Sequence, residues 1–297
     1  MAIAMQGPIA TDDDFTLETL KIYTEHMPGV RLILSTWRDT PQSLLDPIVR
    51  LGVELVLSDK PAEPGLFNVN MQVVSAANGV RKAVEGGAEW VLKTRTDQRL
   101  YDPNAMNFLV ATAKQFPVSG NQKQRHRIIG VGHGTLKFAP YHVTDQTVFG
   151  HAEDMLAYWT PPLRESLRPA DWPIERSAVF SKVPIGELCR FGAAESYFAS
   201  EFLIRMGRPL AWSIEDSWAA YRDHFCFVDY AATDFYWVKS QTYSLQEFTS
   251  EYDFVSNRRE VGFHDWMLLY SGQLSCTSAR RYEGVLKTCF TAPVTVD

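Results

Sequence analysis

The sequence predicts an α/β fold, a mostly parallel sheet flanked by helices. Three observations carry that expectation. Short apolar runs alternate with amphipathic segments through about the first hundred residues, several of those segments close on glycine, and the runs turn polar at their ends. Strands alternating with helices build parallel sheets covered on both faces. Ligands of such sheets bind beyond the carboxyl ends of the strands.

The first strand is AIAM (2–5), ended by Gln6-Gly7-Pro8. Asp12 to Asp14 are placed to cap the next helix, since carboxylates accept orphan N–H bonds and favour the positive helix end. That helix is FTLETLKIYTEHM (15–27), with Phe15, Leu17, Leu20, Ile22 and Tyr23 on its apolar face. RLILSTW (31–37) is the second strand, SLLDPIVRLG (43–52) a short helix and VELVLSD (53–59) the third strand. NVNMQVVSAANGVRKAVEGG (68–87) reads as a helix ending on two glycines, and AEWVLKTRTD (88–97) as a fourth strand. The charges from Lys93 to Arg99 then lie where the sheet presents its binding edge, with Gln6-Gly7, Ser35 to Arg38 and Ser58-Asp59.

The second half is less regular. RIIGVG (127–132) and VTDQTVFG (143–150) look like strands, and HAEDMLAYW (151–159) like a helix. Residues 160–184, rich in Pro, Trp and Arg, read as a long surface loop, and GAAESYFASEFLIRMG (192–207) as an amphipathic helix. Farther on the chain is aromatic, with LQEFTSEYDFV and WMLLYSG as helical candidates.

Composition removes several classes of function. The 297 residues are 45% hydrophobic and 22% charged, ordinary for a soluble globular chain. A net charge of −6 offers nucleic acid no general attraction, although QKQRHR (122–127) is locally basic. Four widely spaced cysteines without a CxxC pair argue against structural zinc and a disulfide framework. No run approaches the roughly 18 apolar residues of a membrane span. The start, MAIAMQGPIATDDDF, lacks the basic and apolar regions of a signal peptide. The expectation is a cytoplasmic protein without a transmembrane segment, leaving room for peripheral attachment to a membrane.

No GxxxxGK[ST], GxGxxG or GxSxG motif occurs where a P-loop enzyme, a dinucleotide oxidoreductase or an α/β-hydrolase would carry it. What remains is Asp97 just past a central strand, among Lys93, Arg95 and Arg99. A carboxylate there suits a divalent metal, and the cations suit diphosphate oxygens. A strand-end salt-bridge cluster fits the same spacing. Trp37 is placed to stack on a base and Arg38 or Asp39 to contact base or ribose, while GVGHGT (130–135) is flexible enough to cover a sugar-phosphate.

The helix with Asn78-Gly79 and Lys82-Ala83, followed by a strand and T-R-T-D, resembles the nucleotide-binding half of GT-A glycosyltransferases, where a DxD-like motif follows the fourth strand. More specifically, NMQVVSAANGVRKA, EWVLKTRTDQRL and YHVTDQTVFGHAEDM resemble the WavE-type lipopolysaccharide-synthesis family. The resemblance covers roughly residues 1–206. It implies a GT-A-like, Rossmann-type catalytic domain, 1–206, with a nucleotide-binding half about 1–105 and an acceptor half about 106–206, and a helical, aromatic-rich extension, 207–297, packed on it. The implied activity moves a sugar, with inversion, from a nucleotide-sugar donor to a lipopolysaccharide, capsular or lipid-linked glycan acceptor.

On that resemblance Gln6, Gly7, Trp37, Arg38, Asn78, Lys93, Arg95 and Asp97 are donor-side residues. Asp97 and His264, in GFHDW, are ligands for Mn²⁺ or Mg²⁺. Glu195, in GAAESYF, and Asp145 are catalytic candidates, with Asp265 behind them. One departure stands out: Arg95 occupies the first position of the DxD, so a single carboxylate remains and Arg95 is itself placed to neutralise phosphate. The alternatives are a non-catalytic nucleotide-sugar-binding scaffold, favoured by that departure, and a nucleotidyltransferase, disfavoured by the acidic QGPIATDDD after the first strand.

Overall fold

Trp90, Val91 and Leu92 are almost wholly withdrawn from water, in the fourth position of a seven-stranded sheet. The computed structural model describes residues 1–118, 123–165, 168–239 and 259–290. Gln122 of the basic stretch and the helical candidate LQEFTSEYDFV lie outside those residues. β1 (Ala2–Gln6), α1 (Phe15–His26), β2 (Arg31–Trp37), α2 (Gln42–Arg50), β3 (Glu54–Ser58), α3 (Val69–Glu85) and β4 (Trp90–Arg95) follow the expected alternation. β1 is buried along its whole length, as a strand covered on both faces must be. Such strands read as continuous apolar runs, and AIAM and WVL do.

The strand order is β3-β2-β1-β4, continued by β7 (Thr147–His151), β6 (Ile128–Val131) and β8 (Phe225–Val228). β1 pairs parallel with both β2 and β4, and β2 with β3. β7 is antiparallel to β4 and β6, while β6 and β8 are parallel, so β7 alone runs against the rest. Two consequences position the site. The order reverses between β1 and β4, opening a crevice between their carboxyl ends. And because β7 is reversed, its start faces the end of β4, so the long 132–146 connection stays on that same edge.

α3 lies across β1, β2, β3 and β4. Gly79 explains how closely it lies: a Cβ there would sit 3.0 Å from the Ser35 Cβ and 3.4 Å from the Ala4 Cβ. The Asn-Gly pair inside this helix is a packing device.

Several elements differ from expectation. Asp12–Asp14 form a short 3-10 turn, but neither it nor α1 receives a side-chain cap bond from them; the Thr16 hydroxyl accepts the Ala10 N–H at 2.8 Å instead. β7 starts at Thr147 and not at Val143, because the preceding residues turn: the Lys93 ammonium donates to the Asp145 and Gln146 carbonyls. Residues 160–184 contain the helix α6 (Arg176–Lys182). Elements not foreseen are β5 (Gln98–Leu100), α4 (Ala105–Gln115), α7 (Ile185–Phe191), α9 (Ile214–His224), β8 and β9 (Phe235–Trp237). The foreseen helices after residue 150 are α5 (Ala152–Trp159), α8 (Ala194–Arg205) and α10 (Phe263–Tyr270).

The chain beyond residue 206 is not purely helical: β8 extends the main sheet, and β9 pairs antiparallel with β5. Aromatic side chains join it to the body, with the Trp218 indole donating to the Lys137 carbonyl at 2.6 Å. Among the described residues no helix is long and apolar enough to cross a membrane.

Candidate functional site

At the crevice, Gln6 of β1 stands opposite Arg95 of β4. Gln6 is buried, and its amide oxygen accepts from the Ser75 hydroxyl of α3 at 2.6 Å. Gly7 adopts φ +123, and a Cβ on it would lie 3.0 Å from the Thr96 hydroxyl. Only glycine suits that conformation beside the neighbouring strand end.

Arg95 and Asp97 meet here. The Arg95 Nε lies 2.8 Å from one Asp97 oxygen and its Nη2 3.0 Å from the other. The Lys239 ammonium approaches the second oxygen at 3.1 Å. Lys239 is brought there by the β5–β9 pairing, which the Val238 N–H extends by donating to the Asp97 carbonyl at 3.1 Å. Side-chain exposure rises from 13% for Asp97 through 26% for Arg95 to 53% for Lys239, so the carboxylate lies beneath its cations. Burial alone would raise the Asp97 pKa. The Arg95 hydrogen bonds and charge, then Lys239, outweigh it and hold the carboxyl well below the usual range.

Lys93 does not join this group. It is fully buried, donating to the Asp145 carbonyl and, at 3.1 Å, to that of Gln146, with its ammonium 4.2 Å from the Trp159 ring centre. Burial lowers its pKa from 10.5 to about 7, against the upward pull of Asp145. The diphosphate contact expected of Lys93 is therefore corrected: a lysine withdrawn from solvent on this side works as a strut under the turn before β7. Arg99 is likewise inward, donating to the Thr19 hydroxyl at 2.9 Å and packing on Phe15.

Gln98, Gln146, Thr94 and Thr147 form a polar floor. The Gln98 amide donates to the Gln146 side chain at 2.7 Å, the Thr147 hydroxyl to Gln98 at 3.0 Å, and Thr94 and Thr147 share a bond of 2.9 Å. Satisfied buried networks of this kind hold one geometry.

Over the ends of β2 and β3, Arg38, Asp39, Ser58, Asp59 and Lys60 line an open depression of about 440 Å³. Arg38 pairs with Asp59 at 2.7 Å and Lys60 with Asp39 at 2.5 Å. The Asn78 amide donates to the Ser58 hydroxyl at 2.9 Å, so Asn78 acts behind this depression. Trp37 is buried and does not line it, which corrects the expected stacking: the indole packs in the protein.

The third group hangs from the 132–146 connection and α8. Glu195, in the first turn of α8, lies 3.7 Å from the His142 Nε2. The His142 Nδ1 is 2.8 Å from the Gly134 carbonyl, which only accepts, so that nitrogen carries the hydrogen. Asp145 is buried at 5% exposure. Burial, then the charges of Asp145 and Glu195, push the Tyr158 hydroxyl well above its ordinary pKa, and both carboxylates thus bear on one neighbourhood. His142 escaped the sequence reading, although it stands three positions before Asp145 in the quoted YHVTDQ.

The late residues are elsewhere. Asp265 is bound to the Lys137 ammonium at 2.7 Å, and His264 is exposed on the first turn of α10. His264 makes no bond with Asp97 among the described residues, whose only charged partners there are Arg95 and Lys239; a ligand pair of Asp97 and His264 is not assembled. No group of three or more His, Cys, Asp or Glu side chains able to hold a metal occurs among the described residues. GVGHGT is pinned by Glu260, which accepts from the Gly134 N–H at 2.8 Å and lies 3.1 Å from the His133 Nδ1.

The chain resembles known proteins at two levels. The chain is similar to a mannose-1-phosphate geranyltransferase from Thermus thermophilus, at 19% identity and TM-score 0.31, over 47% of this chain and 45% of that one. It thus spans less than half of that protein's length. TarS 1–349 of S. aureus is similar at 11% identity and TM-score 0.38, over 75% and 64% of the two chains. A glycosyltransferase involved in glycosylation of the major capsid of PBCV-1 is similar at 11% identity and TM-score 0.34, over 77% and 81%. These likenesses are distant. No curated protein matches the chain. A family model described as WavE lipopolysaccharide synthesis, however, matches residues 1–182, more than half of the sequence. The chain belongs to the WavE lipopolysaccharide synthesis family.

Proposed function

We propose that this protein is a glycosyltransferase of surface-glycan synthesis, taking a sugar from a nucleotide-sugar donor laid across the β1–β4 crevice. One juxtaposition carries the reading. Arg95 lies at the switch point, the Arg38–Lys60 depression on one side of it and the carboxylates Asp145 and Glu195 on the other. A nucleoside suits the depression, its phosphates suit the cations, and the acceptor suits the carboxylate side.

In this reading Glu195 takes the proton of the acceptor hydroxyl, whose oxygen attacks the anomeric carbon from the face opposite the leaving group. The sugar–phosphate bond breaks, and the nucleoside diphosphate departs with the electron pair as its new charge meets fixed cations. His142 orients Glu195, and Asp145 shapes the acceptor pocket over the Lys93 strut. The acceptor is a glycan, free or lipid-linked.

The test is binding and turnover with a panel of UDP-, GDP- and CMP-sugars, with and without Mn²⁺. Release of sugar or nucleotide is expected for one base, and Glu195→Gln should lower turnover roughly 10²-fold or more with donor affinity unchanged. Affinity falling together with turnover would move Glu195 to the donor side. Binding of a donor without any turnover favours a non-catalytic scaffold, and no binding at all defeats both.

A further inference from the structure

We propose that Arg95 and Lys239, tied together through Asp97, take up the charge of the departing diphosphate without a divalent ion, and that Asp97 is a positioning residue. This rests on the glycosyl-transfer reading and deepens it at the same crevice.

The residues present do not fit a divalent ion of the kind the GT-A-like resemblance implies. Both Asp97 oxygens are engaged, one by the Arg95 Nε at 2.8 Å, the other by the Arg95 Nη2 at 3.0 Å and Lys239 at 3.1 Å. A divalent ion bound to this carboxylate would displace at least one cation and then sit against it as a like charge. Hard divalent ions take several oxygen ligands, whereas position 95, where a DxD carries its first aspartate, holds a guanidinium.

The same three residues fit a diphosphate. Two cations over one carboxylate leave a net positive charge, and the more exposed members are the cations. The geometry is built in advance. Trp237 and Gln98 are paired in the β5–β9 ladder, the Val238 N–H reaches the Asp97 carbonyl, and the Arg95 guanidinium lies 6.0 Å from the Trp237 ring centre. Cations fixed before charge develops stabilise a leaving group without reorganising. Arg95 supplies a planar fork and Lys239 a point charge, a combination suited to two phosphates.

The experiment is isothermal titration of the full chain with UDP, GDP, CDP and CMP, in EDTA and in Mn²⁺, then with uridine, guanosine and cytidine. The expected result is affinity for one nucleotide that agrees within about threefold between the two media. Loss of one charged phosphate contact is worth roughly tenfold to a hundredfold in affinity. Lys239→Ala should therefore weaken the nucleotide by about that factor, spare the matching nucleoside, and be largely recovered by Lys239→Arg. Asp97→Asn should weaken the nucleotide severalfold in EDTA, with recovery in Asp97→Glu. Urea midpoints of the variants show that each is folded. Binding that vanishes in EDTA and returns with Mn²⁺ overturns the inference while leaving the glycosyltransferase reading in place. An unaltered affinity in Lys239→Ala also overturns it. Absence of any nucleotide binding in either medium removes this inference together with the reading beneath it.

Discussion

Lys93→Met tests the strut with a pH-dependent signature. Lys93 has no exposed surface, and burial sets its pKa at about 7 in the folded chain against 10.5 in an unfolded one. That difference corresponds to about 5 kcal/mol between its two protonation states, an order-of-magnitude figure. Because the folded value is the lower one, the unfolded chain holds a proton between pH 7 and 10.5 that the native chain does not. Native stability therefore rises with pH across that window, by up to about 1.4 kcal/mol per pH unit, and by about 2 kcal/mol from pH 7 to 9. Methionine removes the desolvated charge, but it also strips donors from the Asp145 and Gln146 carbonyls, at about 1–3 kcal/mol each. Near pH 7 the two effects come close to cancelling. By pH 9 the wild type has recovered roughly half of that deficit, so the balance shifts toward the lost bonds. Urea unfolding of both proteins at pH 7, 8 and 9, followed by tryptophan fluorescence, should show the wild-type advantage growing by about 2 kcal/mol. Taking the difference between proteins cancels the titrating groups that do not interact with Lys93. An advantage independent of pH would refute the reasoning, since it would mean that the ammonium keeps its charge in the fold and reaches solvent or a phosphate.

Two further outcomes probe the crevice and the depression. Gly7→Ala should cost about 1–3 kcal/mol in urea unfolding, because alanine at φ +123 is strained and its Cβ meets the Thr96 hydroxyl; a change within error would mean that the turn relaxes freely. Arg38→Ala breaks only exposed contacts, with Asp59 and the Leu57 carbonyl, so its urea midpoint should not move, whereas nucleotide affinity should fall about tenfold; unchanged affinity would take the nucleoside away from this depression.

The sheet from β1 to β4 was legible because strands buried on both faces leave unbroken apolar runs, as LIL (32–34) and WVL (90–92) do. β5 and β9 have three residues each, too few for a period to register, and β8 follows α9 with no turn residue between His224 and Phe225. Of the candidate site, strand ends were readable and partners were not. Nothing local announces that Asp97 is met by Lys239 or that His142 faces Glu195, because those pairs form only when distant segments pack. Lys93 misled for a related reason. A charge following a buried strand reads as the start of solvent, but side chains alternate across a sheet, and the reversed β7 carries a turn whose carbonyls need a buried donor.

That contrast within one strand orders the functional argument. Lys93 and Arg95 are two positions apart on β4 and project to the same side of the sheet. One lies over strand β7 and gives its hydrogen bonds to backbone. The other stands at the last rung, opposite Gln6, where the strand order opens and no helix follows directly. Their fates differ because desolvation differs. A buried ammonium near the pH of its own titration tolerates neutral partners, whereas a guanidinium stays charged and needs a carboxylate or water. Asp97 provides the carboxylate, and the β9 segment adds a second cation to it and not a second acid. The edge of the sheet thus gathers positive charge at the β1–β4 crevice. The same pairing accounts for how this strand end keeps a half-buried arginine beside a buried carboxylate.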